Sequence, residues 1–85
     1  MPEISRFYGI SLRMFFSDHP PPHLHVRYAE HKARIRLDGE IIDGTMPVRA
    51  LTLVREWMEM HRAELSACWD RASRNEPPGK IEPLP

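Results

Sequence analysis

The sequence holds one cysteine, Cys68, among 85 residues. No disulfide can form within the chain, which sets aside the disulfide-stapled secreted domains and fits a cytoplasmic protein. No apolar run approaches the roughly 20 residues that cross a bilayer, and the N-terminus carries no signal-peptide pattern, so no membrane role is expected. Neither sign of charge is in excess: 12 Lys and Arg stand against 12 Asp and Glu, a formal net charge of +0. An interaction with nucleic acid must therefore rest on local clustering. There is no internal repeat, no HExxH helix and no cysteine pair. The length suffices for one domain and not for two, and a hydrophobic content of 41% allows a small core.

What is present is concentrated in Asp18-His19-Pro20-Pro21-Pro22-His23-Leu24-His25-Val26, with three histidines and three consecutive prolines. The prolines lack N–H donors and hold φ near about −65°, so they impose a stiff, extended entry. The following residues read as a strand, in which side chains alternate between faces. His23 and His25 then share one face, with Leu24, Val26 and Tyr28 on the other.

Around this stretch the patterning predicts strands first and helices second. Ile10 to Phe16 alternates well, with Ile10, Leu12, Met14 and Phe16 on one face and Ser11, Arg13 and Ser17 on the other; Phe15 is the exception. Met1 to Ser5 reads as a short polar lead-in. Strands are expected from about His23 to Tyr28 and from about Lys32 to Leu37. A two-residue loop at Ala29-Glu30 would pair Val26 with Ala33, Leu24 with Ile35, His25 with Arg34, His23 with Arg36 and Arg27 with Lys32. Ala-Glu is poor chemistry for such a turn, whereas Asp38-Gly39 is a strong turn signal before a short strand at Glu40 to Asp43. Pro47 suits a first helical turn, with Thr45 or Met46 as its cap. The helix should run to about His61, burying Ala50, Leu51, Val54, Trp57, Met58 and His61. A second helix, about Ala63 to Ser73, buries Leu65, Cys68, Trp69 and Ala72, and Asn75-Glu76-Pro77-Pro78-Gly79 ends it. The expected fold is α+β: a small antiparallel sheet of three or four strands followed by two C-terminal helices packed on one face. Residues 1–76 form the domain and residues 77–85 a proline-rich tail.

The sheet face away from the helices would carry His23, His25, Arg27, Lys32, Arg34 and Arg36. As an anion site, its Arg27, Lys32, Arg34 and Arg36 would bind phosphate, with His23 and His25 as general acid and base; metal-independent RNA cleavage is the first enzymatic assignment to test. As a metal site, His19, His23 and His25 would be ligands, with Asp18 an alternative third, for zinc or another divalent transition metal, although nearby arginines would repel the cation. As a structural cluster, the face would be solvated or neutralised by Asp38, Glu40 and Asp43, and no cofactor would be needed. Trp57 and Trp69 read as core anchors and Cys68 as a small buried hydrophobe. An exposed sheet edge would also suit an interaction module, and a homo-oligomer is compatible with the sequence.

Several segments together resemble a small bacterial family, the domain-of-unknown-function 4160 family. They are Pro2 to Ile10, Asp18 to Val26, Pro47 to Leu51, Glu56-Trp57 with His61-Arg62, and Lys80 to Leu84. Ala29 departs from the glycine expected near the hairpin turn. The resemblance implies a free-standing bacterial domain whose gene often lies beside that of a second small protein, of the domain-of-unknown-function 2442 family, in a toxin–antitoxin-like pair. It implies a partner protein from the adjacent gene and assigns no catalytic residue. The function expected is that of a member of such a two-gene module, using its His/Arg face to bind RNA or another phosphate-bearing partner.

Overall fold

The computed structural model describes residues 2–85; Met1, counted above in the polar lead-in, lies outside the described residues. Five strands form one antiparallel sheet in sequence order: β1 (Glu3–Phe7), β2 (Ile10–Arg13), β3 (His23–Tyr28), β4 (His31–Arg36) and β5 (Ile41–Gly44). Two helices follow, α1 (Val48–Met60) and α2 (Arg62–Ser73). The α+β order of sheet then helices is as the patterning predicts, but the sheet has five strands where three or four were expected.

The additional strand is β1. It is joined to β2 by a two-residue turn, Tyr8-Gly9, with Phe7 paired to Ile10. Both turn residues have positive φ, 50° and 78°. Two such residues are what the primed turns of tight hairpins require, because their twist matches that of the flanking strands. Ile4 and Phe7 of β1 are buried, which supplies the apolar burial that holds so short a strand in place.

The β3–β4 register is the expected one in all five pairs, from His23 opposite Arg36 to Arg27 opposite Lys32. Ala29 supplies the turn with φ 53°, a left-handed conformation that glycine adopts more readily. At the other end Gly39, with φ 97°, turns the chain from β4 into β5. Gly44 closes β5 at a point of close approach: a Cβ there would lie 2.2 Å from the Lys32 carbonyl oxygen, so only glycine fits.

The core lies between the sheet and the helices. Ile10, Leu12, Leu24, Val26 and Ile35 from the sheet meet Val54, Trp57 and Leu65 from the helices, all buried. Helix α1 starts one residue later than predicted, with Pro47 in the N-cap position and its carbonyl accepting the Leu51 amide at 2.9 Å. That arrangement costs nothing in donors, since a proline N–H is absent where the helix leaves one unpaired. His61 (φ −122°, ψ 31°) breaks the two helices apart. Leu51, His61 and Trp69, placed on the buried stripes by their spacing, are half-buried. The tail packs as an arm: Ile81 is buried, its N–H donates to the Ile4 carbonyl of β1 at 2.8 Å, and the Trp57 indole N–H donates to the Glu82 carbonyl at 2.8 Å. The Tyr8 hydroxyl reaches the Pro85 carbonyl. Among the described residues no helix is long and apolar enough to cross a membrane.

Candidate functional site: an Asp–His–His cluster beside a cationic cleft

Strand β2 ends at Arg13, and the chain runs through Met14 to Pro22 before β3 begins at His23. This connection brings Asp18 back against the first turn of β3. One carboxylate oxygen, Oδ1, accepts the His19 amide N–H at 2.9 Å. The other, Oδ2, faces two imidazoles, with His25 Nε2 at 2.8 Å and His23 Nε2 at 3.0 Å. The period of two along a strand puts His23 and His25 on one side, and their ring centroids are 5.1 Å apart.

The two histidines have different surroundings. His23 is 1% exposed. It lies against Trp69 of α2, with ring centroids 5.4 Å apart, and its Nδ1–H donates to the Pro21 carbonyl at 2.7 Å. The carbonyl can only accept, so Nδ1 carries the hydrogen. His25 is partly exposed and stacks on Phe15. Its Nε2 makes the hydrogen bond to Asp18, whereas His23 Nε2, though 3.0 Å from the same oxygen, is oriented off the line a hydrogen bond needs and has no hydrogen-bond partner. Burial by itself would raise the Asp18 carboxyl pKa. The His25 hydrogen bond, the His19 amide and the two nearby imidazoles outweigh it and hold the group below the ordinary aspartate value.

Next to the cluster, on the sheet face, is a cleft of about 480 Å3 lined by Arg13, Phe15, His25, Arg27, Lys32 and Arg34 among others. Register explains the convergence: His25 sits between Arg13 of β2 and Arg34 of β4, and Arg27 faces Lys32. Arg34 is committed to Asp43, Nε donating to both carboxylate oxygens at 3.0 Å. Arg36 lies outside the cleft lining and is bound to Asp38, with 2.6 Å between Nη2 and Oδ2. Among the described residues Arg13, Arg27 and Lys32 have no carboxylate within ion-pair distance, so they set the sign of the cleft.

The structure therefore brings together Asp18, His23 and His25 as one group and Arg27, Lys32 and Arg34 as a second, with His25 at the boundary. It differs from the sequence reading at three places. His19 is exposed and outside the cluster, its place taken by Asp18. His23 is buried rather than displayed on an open face. Arg13, which the sequence reading placed on the polar side of its strand without a role, lines the cleft. The signal that could have found Arg13 is its phase: it alternates with Leu12 and so emerges on the same side as His25 once β2 pairs with β3.

A small α+β domain with an Asp–His–His cluster at the start of a central strand is the class that fold and site define. A family model described as a domain of unknown function (DUF4160) matches residues 9–70, and the chain belongs to that family. The matched segment contains the whole cluster and cleft, and omits β1 and the tail. No curated protein and no solved structure matches the chain.

Proposed function

We propose that this domain binds a phosphate-bearing partner, with a single RNA strand as the first candidate, along the cationic cleft. The observation that supports the reading is the convergence of Arg13, Arg27 and Lys32, none of them paired with a carboxylate among the described residues, around one concave surface. A chain of zero net charge gains phosphate affinity through such local clustering, because each phosphate neutralised releases condensed counterions. The flat Phe15–His25 stack at the cleft wall offers a π surface on which a base could lie. In the two-gene setting that the family resemblance implies, the same surface is where a small partner protein would compete.

The test is fluorescence anisotropy of a labelled pyrimidine RNA strand against the full chain, over a range of salt. The double change Arg27→Ala and Lys32→Ala, both exposed and outside the core, is expected to weaken binding by about tenfold or more. It should also shrink the slope of log K against log salt by about 1.4, two phosphate contacts at about 0.7 each. Equal affinity and slope in wild type and variant would end this reading.

A second reading, an interaction module, rests on β5. It ends the sheet, spans four residues and leaves Ile41 exposed, a strand edge of the kind that pairs with another chain. Co-purification of the domain with the product of an adjacent gene is its test.

A further inference from the structure

We propose that Asp18 Oδ2, His23 Nε2 and His25 Nε2 form a binding site for one divalent transition-metal ion of the zinc class. The argument starts with His23. Its Nδ1–H is given to the Pro21 carbonyl, which leaves Nε2 as the ring atom open to a further partner. Nε2 lies 3.0 Å from Asp18 Oδ2, off the line a hydrogen bond needs and without a partner among the described residues, on a side chain 1% exposed. A buried ring nitrogen left without a partner costs free energy unless something fills that place. A metal ion would satisfy it together with Asp18 Oδ2 and the second imidazole.

The geometry is close to what such an ion needs. The three donor atoms lie within 4.8 Å of one another. Bonds of about 2.0–2.1 Å in a tetrahedral site put donors about 3.3 Å apart, so the observed separations of 2.8 and 3.0 Å need only a small opening of the carboxylate. The surrounding contacts already orient the donors: the Pro21 carbonyl fixes the His23 tautomer, the His19 amide holds the second Asp18 oxygen, and Phe15 and Trp69 hold the two rings. Of the cations nearby, Arg34 is bound to Asp43 and Arg36 to Asp38, while Arg13, opposite His25, keeps its charge uncompensated among the described residues. Two imidazoles and one carboxylate suit zinc, iron, cobalt or nickel and not magnesium or calcium, which prefer oxygen donors. Three protein donors leave a coordination position open. The site does not depend on what the cleft beside it holds.

The test uses the full chain stripped of metal and titrated calorimetrically with Zn2+ at neutral pH. One equivalent should bind, and Mg2+ should not compete. Asp18→Asn and His25→Gln should each weaken Zn2+ binding by at least about tenfold with unchanged far-ultraviolet circular dichroism, while His19→Gln binds as wild type. These variants spare the buried His23, whose loss could unfold the chain. Co2+ provides a second readout, its visible absorption reporting the nitrogen and oxygen donor set. Substoichiometric binding, or equal affinity in wild type and both cluster variants, overturns the proposal. So does nitrogen-15 spectroscopy showing both His23 ring nitrogens protonated in the presence of Zn2+, since a protonated Nε2 cannot ligate the ion.

Discussion

Phe15 lies flat on His25, with ring centroids 3.9 Å apart and planes 5° from parallel. The residue that breaks the alternation of its segment is therefore the one that seats a partly exposed imidazole against the cleft wall. Phe15→Leu should cost about 1 kcal/mol of stability, the value typical of a well-formed aromatic pair beyond its burial. Urea denaturation of the two proteins checks it, and His25 ring resonances should broaden or shift in the variant.

The Asp18 carboxyl has a lowered pKa in the folded chain. Its stabilising contribution is therefore fully present above the unfolded value of 3.8 and is lost as pH falls through that value toward the lower folded one. Glu3, held mainly by the Ser11 hydroxyl, and Asp43, held mainly by Arg34, shift in the same direction. The quantity to measure is the difference between wild type and Asp18→Asn. Urea midpoints should converge once pH falls below the folded-state pKa, where the aspartate is protonated in both states, and separate above about pH 5 in favour of wild type.

Gly44→Ala should be among the most damaging single changes. The backbone there has φ 85°, and an added Cβ would meet the Lys32 carbonyl at 2.2 Å and the Ala33 Cα at 2.7 Å. Both neighbours are backbone, so no side chain can move aside, and the loss should be about 3 kcal/mol in a denaturation experiment. Gly9→Ala, where a Cβ meets nothing nearer than 3.6 Å, should cost only the left-handed conformation, about 1 kcal/mol.

Trp57→Phe keeps most of the ring burial but removes the N–H that the Glu82 carbonyl accepts. A loss of about 1–2 kcal/mol is expected, and Trp57→Ala should cost about 3–5 kcal/mol. In limited proteolysis of Trp57→Phe, residues 81–85 should be cleaved earlier than in wild type.

Much of this architecture was legible because it depends on period and phase. The β3–β4 register follows from placing apolar residues on one face, since a one-residue slip would expose Leu24, Val26 and Ile35 together. The helices follow from the spacing of Ala50, Val54 and Trp57 and of Leu65, Cys68 and Ala72. Strand β1 was missed for a local reason. Tyr8 occupies a left-handed position that no side-chain preference announces, so Tyr8-Gly9 did not read as a hairpin turn, and Ser5 and Arg6 disguised the apolar positions Ile4 and Phe7. The candidate site was legible in its histidines and only partly in its geometry. Alternation puts His23 and His25 together, but their burial depends on α2 and on the 14–22 connection, which are tertiary matters. Whether Asp18 or His19 joins them is set by the path of the chain through three prolines, which no periodicity encodes.

The arm formed by residues 81–85 has a bearing on the order in which the molecule can be completed. The Ile4 carbonyl of strand β1 accepts the Ile81 amide, and the Tyr8 hydroxyl of the following turn donates to the Pro85 carbonyl. During synthesis the first strand emerges long before the residues that fasten it. The sheet and helices can assemble meanwhile, but the contacts of residues 81–85 with β1 and its turn can form only after those residues have been made.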